Sequence, residues 1–116
     1  MPTISVDQVF VALADTTRRH ILELTATDGA HSASSISAEL PISRQATAKH
    51  LHILEQAGLV SRQRQGKAIC YRVQAHQLAA TGRWMQRIAK RWDPTQHETP
   101  SPLVSPALQQ KSHHTP

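Results

Sequence analysis

Arg44, Gln45, Ala48, Lys49 and His52 follow one another at intervals of one, three, one and three residues, the spacing that gathers side chains on one side of a helix. The chemistry these residue types can do is recognition of base edges and phosphates. A guanidinium pairs bidentately with guanine and a carboxamide with adenine, and the small Ala48 lets the backbone come close. Ser43 precedes them at the position of an N-cap, and a helix N-terminus favours a neighbouring phosphate. Further along, Arg62, Arg64, Gln65, Gly66 and Lys67 place cations around a glycine. That group suits the nucleic-acid backbone or minor groove, positioning more than reading sequence.

Catalytic chemistry finds no comparable grouping. The chain holds no glycine-rich phosphate loop, no paired carboxylates and no nucleophile with a base at recognisable spacing, so an enzyme is not expected. The single cysteine, Cys70, excludes an intrachain disulfide framework and an all-cysteine metal cage. With Arg72 beside it, Cys70 reads either as a redox-sensitive thiol or as an inert small residue, and the inert reading is favoured. His97, Glu98, His113 and His114 read either as a weak metal site or as a solvated tail. The tail reading is favoured because a flexible segment loses entropy in assembling a site. No cofactor and no metal are expected. Of the histidines near the recognition group, His52 is expected to face outward and His50 to pack against the core or a neighbouring group.

The charge that accompanies these residues is asymmetric. The 116 residues carry a formal charge of +5 and a pI of about 10.2. Residues 1–42 hold two cations against five acids, residues 43–72 six cations against one acid, and residues 73–92 four cations and no acid. A one-sided positive potential draws polyanions, nucleic acid above all, although a solvated basic face would look the same by charge alone. No apolar run approaches the roughly 18–20 residues of a membrane span, and no secretory signal opens the chain. One small cytoplasmic domain with a short tail is the expectation.

The elements that must position these residues can be laid out in order. Ser5 and Gln8 form a capping box for a first helix over residues 5–14, with Val6, Val9, Phe10 and Leu13 on one face. Asp15 caps a second helix over 16–27, ended by Asp28-Gly29. Ser32 caps a third over 33–39, stopped before Pro41 because the residue preceding proline avoids helical geometry. The fourth starts after Ser43, buries Thr47, Leu51 and Leu54, and stops at Gly58. Residues 59–64 and 68–73 then alternate as two strands about Gln65-Gly66-Lys67. A fifth helix over 75–92 carries Leu78, Met85, Ile88 and Trp92 with Trp84 beside them, and Gly82 in its middle suggests a close helix neighbour. Residues 93–116 have the composition of a disordered tail. The fold expected is mainly α with a β-hairpin, a winged helix-turn-helix domain over residues 1–92 in the order α-α-α-α-β-β-α.

The stretches LADTTRRHILELT and SASSISAELPISRQATAKHLHILEQAGLVSRQRQGKAICYRV resemble the ArsR family of bacterial winged-helix repressors, the resemblance spanning about residues 6–92. It implies a homodimer joined through its first and last helices, bound to double-stranded DNA at an imperfect palindrome and released by a metal or another signal. It places Ser43, Arg44, Gln45, Ala48, Lys49 and His52 on the recognition helix and Arg62 to Lys67 in the wing. Thr16 stands where the family usually has proline, and Ala48 where serine is frequent. The family's paired cysteines in the third helix are missing, and His76 stands alone where a second metal site would need Asp, His and Glu partners. The inducer is unknown.

The apolar stripes of the first and last helices bear on the same point. Val6, Val9, Phe10, Leu13, Trp84, Met85, Ile88 and Trp92 either pack inside one subunit or pair two subunits. Their number exceeds what one small subunit needs, so a dimer interface is expected. A winged-helix interaction module whose basic hairpin docks an acidic protein is the alternative function.

Overall fold

The computed structural model describes residues 5–92. In chain order they form α1 (Val6–Leu13), α2 (Thr16–Thr25), α3 (Ala33–Glu39), α4 (Arg44–Gln56), β1 (Val60–Gln65), β2 (Ala68–Val73) and α5 (Ala75–Arg91). The order is the expected one. The chain divides into two units, Met1–Met85 and Gln86–Pro116. The first holds α1 through β2 and the start of α5; of the second, residues 86–92 are described, and the expected tail lies outside the described residues.

Side-chain caps start four of the helices. Ser5 Oγ accepts from the Gln8 backbone N–H at 3.2 Å while Gln8 Oε1 accepts from the Ser5 N–H at 3.0 Å, a reciprocal arrangement that satisfies two orphan donors. Ser32 and Ser35 repeat it at α3. Ser43 Oγ accepts from the Ala46 N–H at 3.0 Å, and Asp15 Oδ2 accepts from the Arg18 N–H at 2.9 Å. That last bond, reinforced by the charge of Arg18, outweighs desolvation and holds the Asp15 carboxyl below its ordinary value of 3.8. A carboxylate with a depressed folded-state pKa contributes stability above its unfolded value, and that contribution fades as pH falls through the folded value. Asp15→Ala should therefore lower the urea midpoint at neutral pH and narrow its gap to wild type below about pH 4.

Helix ends follow local chemistry too. α2 stops at Thr25, short of the expected residue 27, because the Thr27 backbone N–H and hydroxyl both turn back to Leu24 O, at 3.1 Å and 2.7 Å. A threonine side chain that bonds the preceding turn offers the backbone an alternative to the next helical bond. Gly58, at φ +74°, ends α4, with the Leu59 N–H reaching Leu54 O at 2.9 Å in the manner of a Schellman stop. The hairpin turn is two residues, Gly66-Lys67, since Gln65 pairs with Ala68. Only Gly66 has positive φ there, +62°, as a type II′ turn requires.

The core joins α1, α2, α3, α4 and the base of β1: Val9, Ala12, Ile21, Leu22, Ile36, Leu51, Leu54, Leu59 and Val60 are all buried together. Tyr71, Val73 and Leu78 pack against it. The loop before α3 joins the hairpin through the Tyr71 N–H, which donates to His31 O at 2.7 Å. Two expectations need correction. Val9 is 0% exposed, so this member of the expected dimer stripe belongs to its own subunit's core and cannot meet a second chain. Among the described residues, Gly82 has no atom within 4 Å of where a Cβ would stand, so no described helix of this subunit approaches it there. Gly82→Ala should accordingly stabilise the chain by about 1 kcal/mol, read as a higher denaturant midpoint.

Candidate nucleic-acid interface

Helix α4 divides its residues cleanly. Thr47, Leu51 and Leu54 are buried, and the Thr47 hydroxyl donates to Ser43 O at 2.9 Å, which locks the first turn. Arg44, Gln45, Ala48, Lys49 and His52 are all exposed. The buried set falls on the core because those positions share one side of a 3.6-residue period, and the same period puts the polar set opposite. Ser43 is exposed, with its oxygen engaged by the cap and its O–H left to donate. Sequence spacing thus located this face residue by residue.

The wing brings its cations to the same region. Directly paired residues of a hairpin share a face, so the pairs Arg62 with Tyr71 and Arg64 with Ile69 put both arginines on the side that holds the half-buried Ile69 and Tyr71. A cleft of ≈ 690 Å³ lies between α4 and the hairpin, lined by Arg44, Gln45, Ala48, Arg62, Lys67 and Tyr71 among others. Three cations from two elements therefore converge on one concavity, whereas His52 and Lys49 line a neighbouring hollow with Arg18 and His50. Arg64, Gln65 and Gly66 stand exposed around the turn. Glu55 reaches Arg62 at 3.8 Å; both side chains are substantially solvated, so the pair trims local charge without anchoring the wing.

Sequence reasoning missed Tyr71 and two serines at the start of α3, its N-cap Ser32 and Ser34 in its first turn, which also line the cleft. The strand alternation was enough to find Tyr71, since it sits across from Arg62; nothing local signalled the serines. Cys70 lies on the opposite strand face from Tyr71 and is 8% exposed. Burial shields the thiol from oxidants, which favours the inert reading. Among the described residues no group of three or more His, Cys, Asp or Glu stands close enough to hold a metal ion, and no helix is long and apolar enough to cross a membrane. His97, Glu98, His113 and His114 lie outside the described residues.

Of the other apolar positions, Phe10 and Trp84 meet edge to face with ring centroids 5.6 Å apart. Phe10, Trp84, Met85, Ile88 and Trp92 remain between 37% and 50% exposed. Val6 is half-buried, and Leu13 packs partly against the core.

Known proteins match both the sequence and this arrangement. Residues 13–63 match the model of a helix-turn-helix domain. The transcriptional repressor SdpR of Bacillus subtilis (strain 168) is 34% identical over 87 residues, 75% of this chain and 96% of the relative. An ArsR-like transcriptional regulator from Rhodococcus sp. RHA1 superposes with a TM-score of 0.69 at 36% identity, covering 92% of this chain and 91% of that one. A homodimeric winged helix-turn-helix DNA-binding domain from Mycobacterium bovis, solved in solution, gives a TM-score of 0.59 at 26% identity over 82% of this chain and 87% of its own. Helix order, hairpin wing, exposed polar face and relatives agree: the chain belongs to the ArsR family of winged helix-turn-helix transcriptional regulators.

Proposed function

We propose that this protein is a homodimeric repressor that binds a palindromic operator through α4 and the wing and leaves it in response to a signal. The observation that carries the reading is the solvent-facing row Arg44, Gln45, Ala48 and Lys49 on a helix whose other side is buried, with Arg62 and Lys67 across one cleft. A row of that composition fits a major groove, and the flanking cations fit the phosphates on either side of it. Two copies related by a two-fold axis would set their reading helices in successive major grooves, about 34–36 Å apart. The dimeric Mycobacterium bovis domain and the SdpR repressor support dimerisation and repression, respectively.

Binding to a duplex selected from random sequences tests the reading. Affinity should fall linearly in log–log coordinates as salt rises. Lys67→Ala should weaken binding to all duplexes and reduce that slope by about one. Gln45→Ala should instead cost roughly 1–3 kcal/mol, confined to one or two base positions. Binding to every duplex that neither substitution alters would show that α4 and the wing do not face the DNA, and would leave the docking of an acidic protein as the hairpin's role.

A further inference from the structure

Arg18 stands in the first turn of α2, half-buried, and every nitrogen of its guanidinium has an acceptor. Nε donates to Ala12 O at 2.7 Å and Nη2 to Val11 O at 3.2 Å, so the cation sits on the C-terminal carbonyls of α1. The negative end of the helix dipole lies there, and a cation is favoured. Helix α1 has no basic residue in its own last turn; Arg18 supplies charge from the next helix, together with Arg19, whose Nη1 donates to Leu13 O at 2.6 Å. The third nitrogen, Nη1, lies 3.3 Å from His50 Nδ1 on α4. A guanidinium only donates, so Nδ1 accepts and the ring proton sits on Nε2. Asp15 fixes the root of the side chain by holding the Arg18 backbone N–H.

One side chain thus spans α1, α2 and α4, meeting the recognition helix one residue beyond Lys49. We propose that Arg18 and His50 are a positioning pair: they set the azimuth of α4 about its own axis relative to α1, and so aim Arg44, Gln45 and Lys49 without touching DNA themselves. The proposal rests on the DNA-reading role of α4 given above. The packing of α4 leaves such a need. Its buried side is Thr47, Leu51 and Leu54, and apolar contacts of this kind tolerate small rotations that a directed hydrogen bond resists. Base-edge recognition does not tolerate them, because bidentate pairing fixes both distance and direction. Helix α1 also presents Phe10 toward the proposed partner subunit, so the pair joins the surface that sets the dimer to the helix that reads sequence.

The test uses the full chain and the duplex that wild type selects from a random pool. His50→Leu removes the acceptor at similar bulk, and His50→Gln restores an acceptor oxygen. His50→Leu should weaken binding about tenfold with an unchanged salt slope, since a residue off the DNA releases no counterions. His50→Gln should recover most of the loss. Arg18→Lys, which keeps the charge, should cost a similar factor alone and little more on top of His50→Leu, the non-additivity of residues in contact. It carries the same expectation by itself should the His50→Leu chain not fold, as judged by circular dichroism. Binding within about twofold of wild type, additive losses, or a slope lowered by about one would each overturn the pair. Wild type that binds no duplex would overturn the DNA reading itself. Binding that responds to Lys67→Ala but not to His50→Leu or Arg18→Lys would overturn the pair alone.

Discussion

Leu51→Ala is expected to lower the free energy of unfolding by roughly 2–5 kcal/mol. Leu51 is 0% exposed at the centre of the core, and truncation removes buried methyl groups while leaving a cavity that the surrounding helices fill only in part. Its neighbours in that core come from several elements, including Val9, Ile21, Ile36 and Leu59, so no single helix can shift to close the gap without disturbing the rest. Domains of this size are stable by only about 5–15 kcal/mol, which makes the loss a large fraction of the total. Urea titration at fixed protein concentration checks it. Ala48, on the exposed side of the same helix, provides the contrast: Ala48→Ser should leave the free energy of unfolding within about 0.5 kcal/mol of wild type. A midpoint that does not move in Leu51→Ala would mean that α4 is not seated on the core by that face.

Trp84→Ala should raise the dissociation constant of the proposed dimer by an amount equivalent to roughly 2–4 kcal/mol, the range of an aromatic anchor at an interface. The ring is partly exposed, and its edge-to-face contact with Phe10 ties an α5 residue to an α1 residue as one apolar surface. Such contiguous exposed aromatics on a small chain mark an interface. Because one subunit carries one reading helix, loss of the dimer should also reduce affinity for a two-half-site duplex while sparing binding to a single half-site. Sedimentation over a range of concentrations, with titrations of both duplexes, separates these outcomes. A dimer that persists unchanged in Trp84→Ala would place the two-fold elsewhere on the molecule.

The two results together distinguish the sides of a small domain that must do three jobs with few residues. The inner side of α4 holds the subunit together, its outer side is the one proposed to read DNA, and the aromatic face of α1 and α5 is the one proposed to pair subunits. Each job uses a different chemistry: apolar burial, directed polar contacts, and aromatic area. Arg18 is where they meet, since it contacts the end of α1 and the flank of α4 at once.

Much of this was written in local sequence. Ser5, Asp15, Ser32 and Ser43 cap their helices because a cap is a hydrogen bond across three residues, which a chain forms wherever those residues occur together. The exposed polar face of α4 was legible for a similar reason: once Thr47, Leu51 and Leu54 are recognised as the apolar side, the helical period alone sends Arg44, Gln45 and Lys49 outward. Periodicity does not say which neighbour covers an apolar side. Val9 and Phe10 are adjacent apolar residues on the same helix, yet Val9 is sealed in the subunit and Phe10 is left partly in solvent; only the placement of α2 and α4 against α1 decides between them. Gly82 looked like a site of close approach and meets nothing within 4 Å among the described residues. The contact between Arg18 and His50 joins residues 32 apart, and no spacing rule encodes it. It exists because the packing of two helices brings a donor and an acceptor to one point, a coincidence in space that the order of residues along the chain does not contain.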